Sequence, residues 1–193
     1  MKKKYNKTLF VDIDGVIADF EGEYCERFGY ENRDIVDLHK RYPEVDRDII
    51  DEFIQSSNTY QRLIPHFGGI LLLNQAKEEG YYVVLLTSRP ETAKEVTRIW
   101  LESYEVQYNE LWFGKNKGLE IQDFNTMYPS RPVFALIDDI PAFFVQLPLG
   151  VVGITWEQPW NEGNYPRMRY NEKKMQIEWK PNTVSEYTKW RSK

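Results

Sequence analysis

Four continuous apolar runs constrain this chain more than any other feature. They are Leu9-Phe10-Val11, Tyr81-Tyr82-Val83-Val84-Leu85-Leu86, Val133-Phe134-Ala135-Leu136-Ile137 and Val151-Val152-Gly153-Ile154. None alternates with polar residues, which is the pattern of strands in a parallel sheet covered by helices on both faces. Glu110-Leu111-Trp112-Phe113 is a weaker fifth candidate. Helical stretches separate the runs. Residues 69–79 form one, stopped by Gly80. Pro90 and Glu91 open another that reaches about residue 106, since proline and an acid both suit a first helical turn. Residues 118–124 and 141–146 supply two more. Strands alternating with helices predict an α/β fold built on a doubly wound, mostly parallel sheet.

One segment breaks that rhythm. Between Asp19 and Pro65 the chain is too long for a single crossover, and Val45, Ile49, Ile50, Phe53 and Ile54 recur at helical spacing. It reads as a helical cap, residues 19–65, inserted after the first strand. The core then comprises residues 1–18 and 66–160, with residues 161–193 as a C-terminal extension of unassigned structure.

Composition narrows the function classes. The 193 residues suffice for one α/β domain with a buried core, and the formal net charge of −5 disfavours nonspecific nucleic-acid binding. Cys25 is the only cysteine, which rules out an intrachain disulfide and fits a reducing cytoplasm. The lysines near Met1 resemble the charged part of a signal peptide. The apolar run behind them is short and broken by Asp12 and Asp14, so neither a leader nor a membrane span is expected. His39 and His66 lack the spacing of a metal pair, and Cys25 reads as a small buried hydrophobe. Oligomeric state is not legible from the residues.

The chemistry-bearing residues fall where strands end. The first run leads into Asp12-Ile13-Asp14-Gly15-Val16 and the third into Asp138-Asp139. Open α/β sheets bind ligands at the carboxyl edge of their strands, so two strands deliver carboxylates to one place. If the first strand persists, Asp12 and Asp14 share a side, and Gly15 lets the chain turn away. Crowded carboxylates repel unless a cation joins them, and a hard divalent ion with oxygen ligands, Mg²⁺ or Mn²⁺, removes that cost. The second run ends in Thr87-Ser88-Arg89-Pro90, where hydroxyls and free amides at a helix start can hold an anion. Lys115-Asn116-Lys117 brings positive charge before the next helix, and Asp19 reads as an N-cap.

In order and strand context, Asp12-Ile13-Asp14-Gly15-Val16, Thr87-Ser88, Lys117 and Asp138-Asp139 together resemble the haloacid dehalogenase superfamily of phosphatases, whose core is Rossmann-like. The likeness runs from about residue 8 to 153, outside the insertion. It implies Asp12 as nucleophile and Asp14 as general acid/base. Thr87, with Ser88 beside it, would bind phosphate. Lys117, or alternatively Lys115, would screen nucleophile and phosphate. Asp12, Asp138 and the Asp14 backbone carbonyl would hold Mg²⁺, with Asp139 in support. Within the superfamily, the stretch from Asp12 to Glu21 and Gln158-Pro159-Trp160-Asn161 are similar to the 5′(3′)-deoxyribonucleotidases. Those enzymes place tryptophans in the cap against the base, whereas all six tryptophans here lie at Trp100 or later.

The resemblance therefore implies a Mg²⁺-dependent phosphomonoester hydrolase working through an aspartyl-phosphate, with a small phosphorylated substrate, a nucleoside monophosphate for choice. Burial under the cap and neighbouring carboxylates are expected to keep Asp14 protonated for its role. Phe20, one short turn past the Asp12 loop, is the first candidate to stack on a base, and Arg89 a candidate to contact phosphate or sugar. Two alternatives stay open. Arg167, Arg169, Lys173 and Lys174 interleaved with Tyr165, Tyr170 and Trp179 would suit a nucleic-acid end phosphatase. A noncatalytic domain that binds a phosphoryl ligand is the other.

Overall fold

The computed structural model describes residues 5, 7–29, 40, 44–161 and 165–180. His39 lies outside them. Strands β1 (Thr8–Val11), β2 (Tyr82–Thr87), β3 (Glu110–Phe113), β4 (Val133–Asp138), β5 (Val152–Trp156), β6 (Arg167–Asn171) and β7 (Gln176–Lys180) form one sheet in the order β3-β2-β1-β4-β5-β6-β7. All neighbours run parallel except the β6–β7 pair. The helices are α1 (Phe20–Phe28), α2 (Arg47–Gln55), α3 (Ser57–Gln61), α4 (Phe67–Glu78), α5 (Lys94–Ser103) and α6 (Lys117–Met127). Short 3-10 turns occupy Glu91–Ala93 and Pro141–Gln146. This is an α/β, Rossmann-like architecture.

The continuous apolar runs follow from two buried faces. Leu9, Val11, Val83, Leu85, Ala135 and Ile137 pack on one side with Leu72 and Leu73 of α4 and Trp100 and Leu101 of α5. Phe10, Val84, Leu86 and Leu136 pack on the other with Ile121 and Phe124 of α6 and Phe144. Side chains alternate across a strand, so a run apolar at every position is what a doubly covered strand requires.

The insertion leaves and rejoins the core at one point. Ala18 bridges Pro65, the Asp19 amide donates to the Ile64 carbonyl at 2.8 Å, and the His66 amide donates to the Ile17 carbonyl at 2.9 Å. Asp19 caps α1, its Oδ1 accepting from the Gly22 amide at 2.8 Å. Tyr24, Ile50 and Phe53 make a small apolar centre between α1 and α2, with Phe20, Phe28, Val45 and Ile54 packed against it. Ile49, expected on the same face, is largely exposed.

Two stretches differ from the sequence reading. The helix expected from Pro90 to about 106 opens as a 3-10 turn, because Pro90 is extended. It closes at Ser103, and Glu105 then takes a positive φ of 52°. The extension, left unassigned from the sequence, carries two strands within the described residues. Arg167-Met168-Arg169-Tyr170-Asn171 and Gln176-Ile177-Glu178-Trp179-Lys180 pair as an antiparallel hairpin that lengthens the sheet. Its polar–apolar alternation is the period of a half-buried strand, weaker than the continuous runs. No helix among the described residues is long and apolar enough to cross a membrane.

Candidate active site

The strand β1 stops at Val11, not at Asp14. The Asp12 amide still donates to the Ile137 carbonyl of β4 at 2.9 Å. Beyond it the chain coils, and the Ile13 carbonyl accepts from the amides of Ile17 at 2.8 Å and Ala18 at 2.9 Å. Gly15 is required in this turn for two reasons. Its φ is +76°, and a Cβ there would lie 2.4 Å from Asp139 Oδ2. The turn and the end of β4 are therefore in contact through a glycine.

Asp12, Asp138 and Asp139 come together at this edge, each buried, with carboxylate oxygens within 4.8 Å of one another. Lys117, the first residue of α6, enters the group. Its Nζ lies 2.8 Å from Asp12 Oδ1 and 2.6 Å from Asp138 Oδ2, and its side chain is 1% exposed. Asn116 caps α6 by accepting the Leu119 amide, which fixes where Lys117 begins. Lys115 is exposed, so Lys117 alone of the two candidates reaches the acids.

Burial dominates the electrostatics of the cluster. It pushes Asp12 up to about 7, against the pull of Lys117 and with added repulsion from Asp138 and Asp14. Burial also raises Asp138 against the pull of Lys117. Asp139 is raised well above the carboxylate range by burial and by Asp138 and Asp12. For Lys117 burial acts downward, but Asp12 and Asp138 outweigh it and push the ammonium up.

Three carboxylates against one ammonium leave a formal excess of two negative charges, the charge of one divalent cation. Asp139 Oδ1 is buried without a hydrogen-bond partner among the described residues, although its Oδ2 accepts from Trp160 Nε1 at 2.9 Å. An unsatisfied buried oxygen in an all-oxygen donor set fits a hard divalent ion. The cluster holds the two side chains the sequence implied as ligands, Asp12 and Asp138, and brings Asp139, expected in support, beside them; the Asp14 side chain, which was not expected among the ligands, is not part of it.

Asp14 instead pairs with Arg89. Nε lies 2.9 Å from Oδ2, and Nη2 lies 2.7 Å from Oδ1. The Arg89 side chain is fully buried; Nη1 donates to Thr97 Oγ1 at 3.0 Å, and the guanidinium sits 4.6 Å over the Tyr60 ring. Arg89, expected to reach toward phosphate or sugar, thus spends its main donors on Asp14. Asp14 was expected to be buried among carboxylates, yet its side chain is 25% exposed and faces a cation. The physical reason is the early end of β1. Once the chain coils after Asp12, the two acids no longer share a strand face.

Thr87, at the end of β2, is buried, and its Oγ1 accepts from the Arg89 amide at 3.2 Å. Ser88 rather than Thr87 lines the cleft above the acids. That cleft, about 340 Å³, is bounded by Asp12, Asp14, Lys117 and Asp139 below and by Phe20, Tyr60, Phe143 and Trp160 around it. Phe20 stacks on Tyr60 with centroids 5.9 Å apart and also touches Phe53, so it is both cap core and cleft wall. Glu21 and Ile54 of the cap line it too. Sequence reasoning gave no role in the site to Phe143, Glu21 or Trp160. Trp160 could have been placed from Gln158-Pro159-Trp160-Asn161, which follows an apolar run just as the two aspartate motifs do. The cations of the hairpin are largely engaged: Arg167 with Asn161, and Arg169 and Lys174 with Glu178.

The raised carboxylates give a pH prediction. A group whose folded pKa exceeds its unfolded value stabilises below the unfolded pKa and loses that contribution as pH rises through the folded one. For Asp12 the window runs from about 3.8 to about 7, and Asp138 and Asp139 act in the same direction. Without divalent ions the Tm should fall as pH rises from 4 to 7, and added Mg²⁺ should flatten that fall. A thermal melt series with and without Mg²⁺ checks this; a metal-free Tm rising over the window would contradict the cluster's electrostatics.

No protein-family model matches the chain, and no curated protein sequence does. Solved structures match its fold at low identity. A haloacid dehalogenase-like family hydrolase from Streptococcus pneumoniae aligns at TM-score 0.53 and 16% identity, over 81% of this chain and 87% of that one. A predicted phosphatase from Clostridium acetobutylicum aligns at TM-score 0.53 and 16% identity, over 79% and 85%. A dehalogenase aligns at TM-score 0.56 and 9% identity, over 86% and 90%. The chain spans 47% of the length of a chain from a Pnkp1/Rnl/Hen1 complex that it also matches, at TM-score 0.49 and 18% identity over 79% of this chain. The sheet with its flanking helices is therefore the fold seen in hydrolases of the haloacid dehalogenase superfamily.

Proposed function

We propose that this protein is a Mg²⁺-dependent phosphomonoester hydrolase that forms an aspartyl-phosphate on Asp12, with nucleoside monophosphates as substrates. The observation that carries the reading is the buried cluster at one sheet edge, where Asp12 lies 2.8 Å from Lys117 and within reach of Asp138 and Asp139, beneath an open cleft. When bound, Mg²⁺ would be held by Asp12, Asp138 and Asp139, with the Asp14 carbonyl as a further oxygen, and would lower the repulsion between carboxylate and phosphate.

The chain's own residues supply the rest. Asp12 attacks phosphorus in line, forming the acyl-phosphate bond as the bond to the leaving oxygen breaks. Lys117 screens the approaching charges. Ser88, which lines the cleft, meets the phosphoryl oxygens, while Thr87 holds the Arg89 amide in place. Asp14, oriented by the two-point contact with Arg89, gives a proton to the leaving alkoxide. It later takes one from the water that attacks phosphorus and frees Asp12.

Two features separate this reading from halide displacement, which a dehalogenase fold also serves. Loss of halide requires no proton donor beside the nucleophile and no divalent charge, yet Asp14 and the three-carboxylate cluster provide both. The ring-lined cleft favours a leaving group that carries a planar base over a bare sugar. The hairpin does not favour a nucleic-acid end, because Arg169 is paired with Glu178 across it and Arg167 is bound to Asn161 of the preceding loop.

Phosphate release from a panel of nucleotides, sugar phosphates and a small aryl phosphate tests the reading, with Mg²⁺ and with chelator. Nucleoside monophosphates should show the highest kcat/KM, and chelator should abolish turnover. Phe20→Ala should lower nucleotide kcat/KM by about tenfold, the scale of one base–ring stack, and leave the aryl phosphate within about twofold. Full activity in chelator removes the metal; a preference for sugar phosphates removes the nucleotide and leaves the phosphatase.

A further inference from the structure

The loop after β5 reaches back across the catalytic edge with three side chains. Gln158 Nε2 donates to the Gly15 carbonyl at 2.6 Å. Trp160 Nε1 donates to Asp139 Oδ2 at 2.9 Å. Asn161 Nδ2 donates to the backbone carbonyls of Asp139 at 2.9 Å and Trp156 at 2.7 Å. The loop is itself tied, since Asn161 Oδ1 accepts from the Gln158 amide at 3.1 Å and from Arg167 Nη2 of β6 at 2.6 Å. Asn161 is buried, and Arg167 Nη2 also donates to its backbone carbonyl.

We propose that this loop is a clasp that positions the nucleophile turn and the acidic cluster relative to each other, with Gln158 and Trp160 as its two working contacts and Arg167 as its anchor in the hairpin. Gly15 sits in a non-repetitive turn at positive φ, so its carbonyl has no sheet partner to hold it, and Gln158 fills that role. Trp160 binds one oxygen of Asp139 and so fixes the plane of a carboxylate whose other oxygen, Oδ1, is buried without a hydrogen-bond partner among the described residues. A partner of this kind outside the ligand set fixes the orientation of a ligating carboxylate. Trp160 also lines the cleft, so the same hydrogen bond holds its ring as part of the wall that meets the leaving group. The β6–β7 hairpin thereby becomes part of the catalytic machinery's support instead of an appendage to the sheet.

The inference rests on the Mg²⁺ site proposed above, and its test keeps the two apart. Trp160→Phe retains a ring and removes the donor; Gln158→Met retains length and removes the donor. Calorimetric titration with Mg²⁺ should show Trp160→Phe weakening binding at least about tenfold, the usual scale for losing a ligand's outer partner. Gln158→Met should lower kcat about tenfold with KM within about twofold, because the turn that carries Asp12 is loosened after substrate is bound. In the metal-free proteins, amide hydrogen exchange at residues 13–18 and 140 should be faster than in the wild type. Wild-type Mg²⁺ affinity, kcat and exchange in both variants overturn the clasp, as does a lowered Tm with those three unchanged, which assigns the loop a purely structural role. A wild type that binds no Mg²⁺ overturns the metal site; the exchange measurement alone then decides the clasp.

Discussion

Replacing Asp12 by Asn is expected to lower kcat for every phosphomonoester by at least about a thousandfold, the scale on which covalent catalysis is lost. The amide keeps the shape of the side chain and removes the attacking charge. The fold should survive, because burial already disfavours the Asp12 charge and pushes its pKa up to about 7 in the absence of an ion. The metal-free Asp12→Asn protein should therefore melt no lower than the wild type at pH 7, while its stabilisation by Mg²⁺ shrinks. Steady-state kinetics and melts with and without Mg²⁺ check both halves. Near-normal turnover in this variant would remove Asp12 as the nucleophile.

Lys117→Met should have the largest effect on stability. The ammonium is enclosed between Asp12 and Asp138, and methionine fills its space without its charge. Removing one side of a buried ion pair leaves the other uncompensated, typically at a cost of about 3–5 kcal/mol. The loss should be greatest at pH 8 without Mg²⁺ and smaller at pH 5, where protonation of the raised carboxylates relieves the repulsion. Urea unfolding at the two pH values, with and without Mg²⁺, measures it. An equal, small change at both would mean that the lysine is not the cluster's counter-charge.

The strands and their carboxyl edge were legible because a doubly buried strand has no choice of composition. Leu9, Phe10 and Val11 face opposite sides of the sheet, and both sides are covered. Asp12, Asp138 and Asp139 were legible for the same reason, since each sits at or just past the end of such a strand, whereas Lys117 follows the half-buried edge strand β3 and was placed by the order of motifs. What sequence could not give was the direction of side chains in the coiled segment after β1. Asp14 turns to Arg89 only because the chain leaves the sheet at Asp12, a property of the Ile13–Ala18 turn that period-two reasoning does not contain. Nor could local pattern supply most of the cleft walls. Tyr60 and Phe143 come from separate segments and look like ordinary core residues one at a time, whereas Trp160 follows an apolar run as the aspartate motifs do. The hairpin was missed because Arg167, Arg169 and Glu178 place charges at its half-buried positions, which masks a strand in a reading that seeks apolar runs.

The most direct test of the account is chemical capture of the intermediate. The wild-type protein with Mg²⁺ and its best monophosphate would be acid-quenched during turnover, reduced with borohydride and mapped by peptide mass. An acyl-phosphate is reduced to the alcohol, so Asp12 should be recovered in part as homoserine, with none in the absence of substrate and none in Asp12→Asn. Unmodified Asp12 in every quench taken while phosphate is being released at full rate would contradict the account, because the phosphoryl group would then be reaching water without passing through this residue.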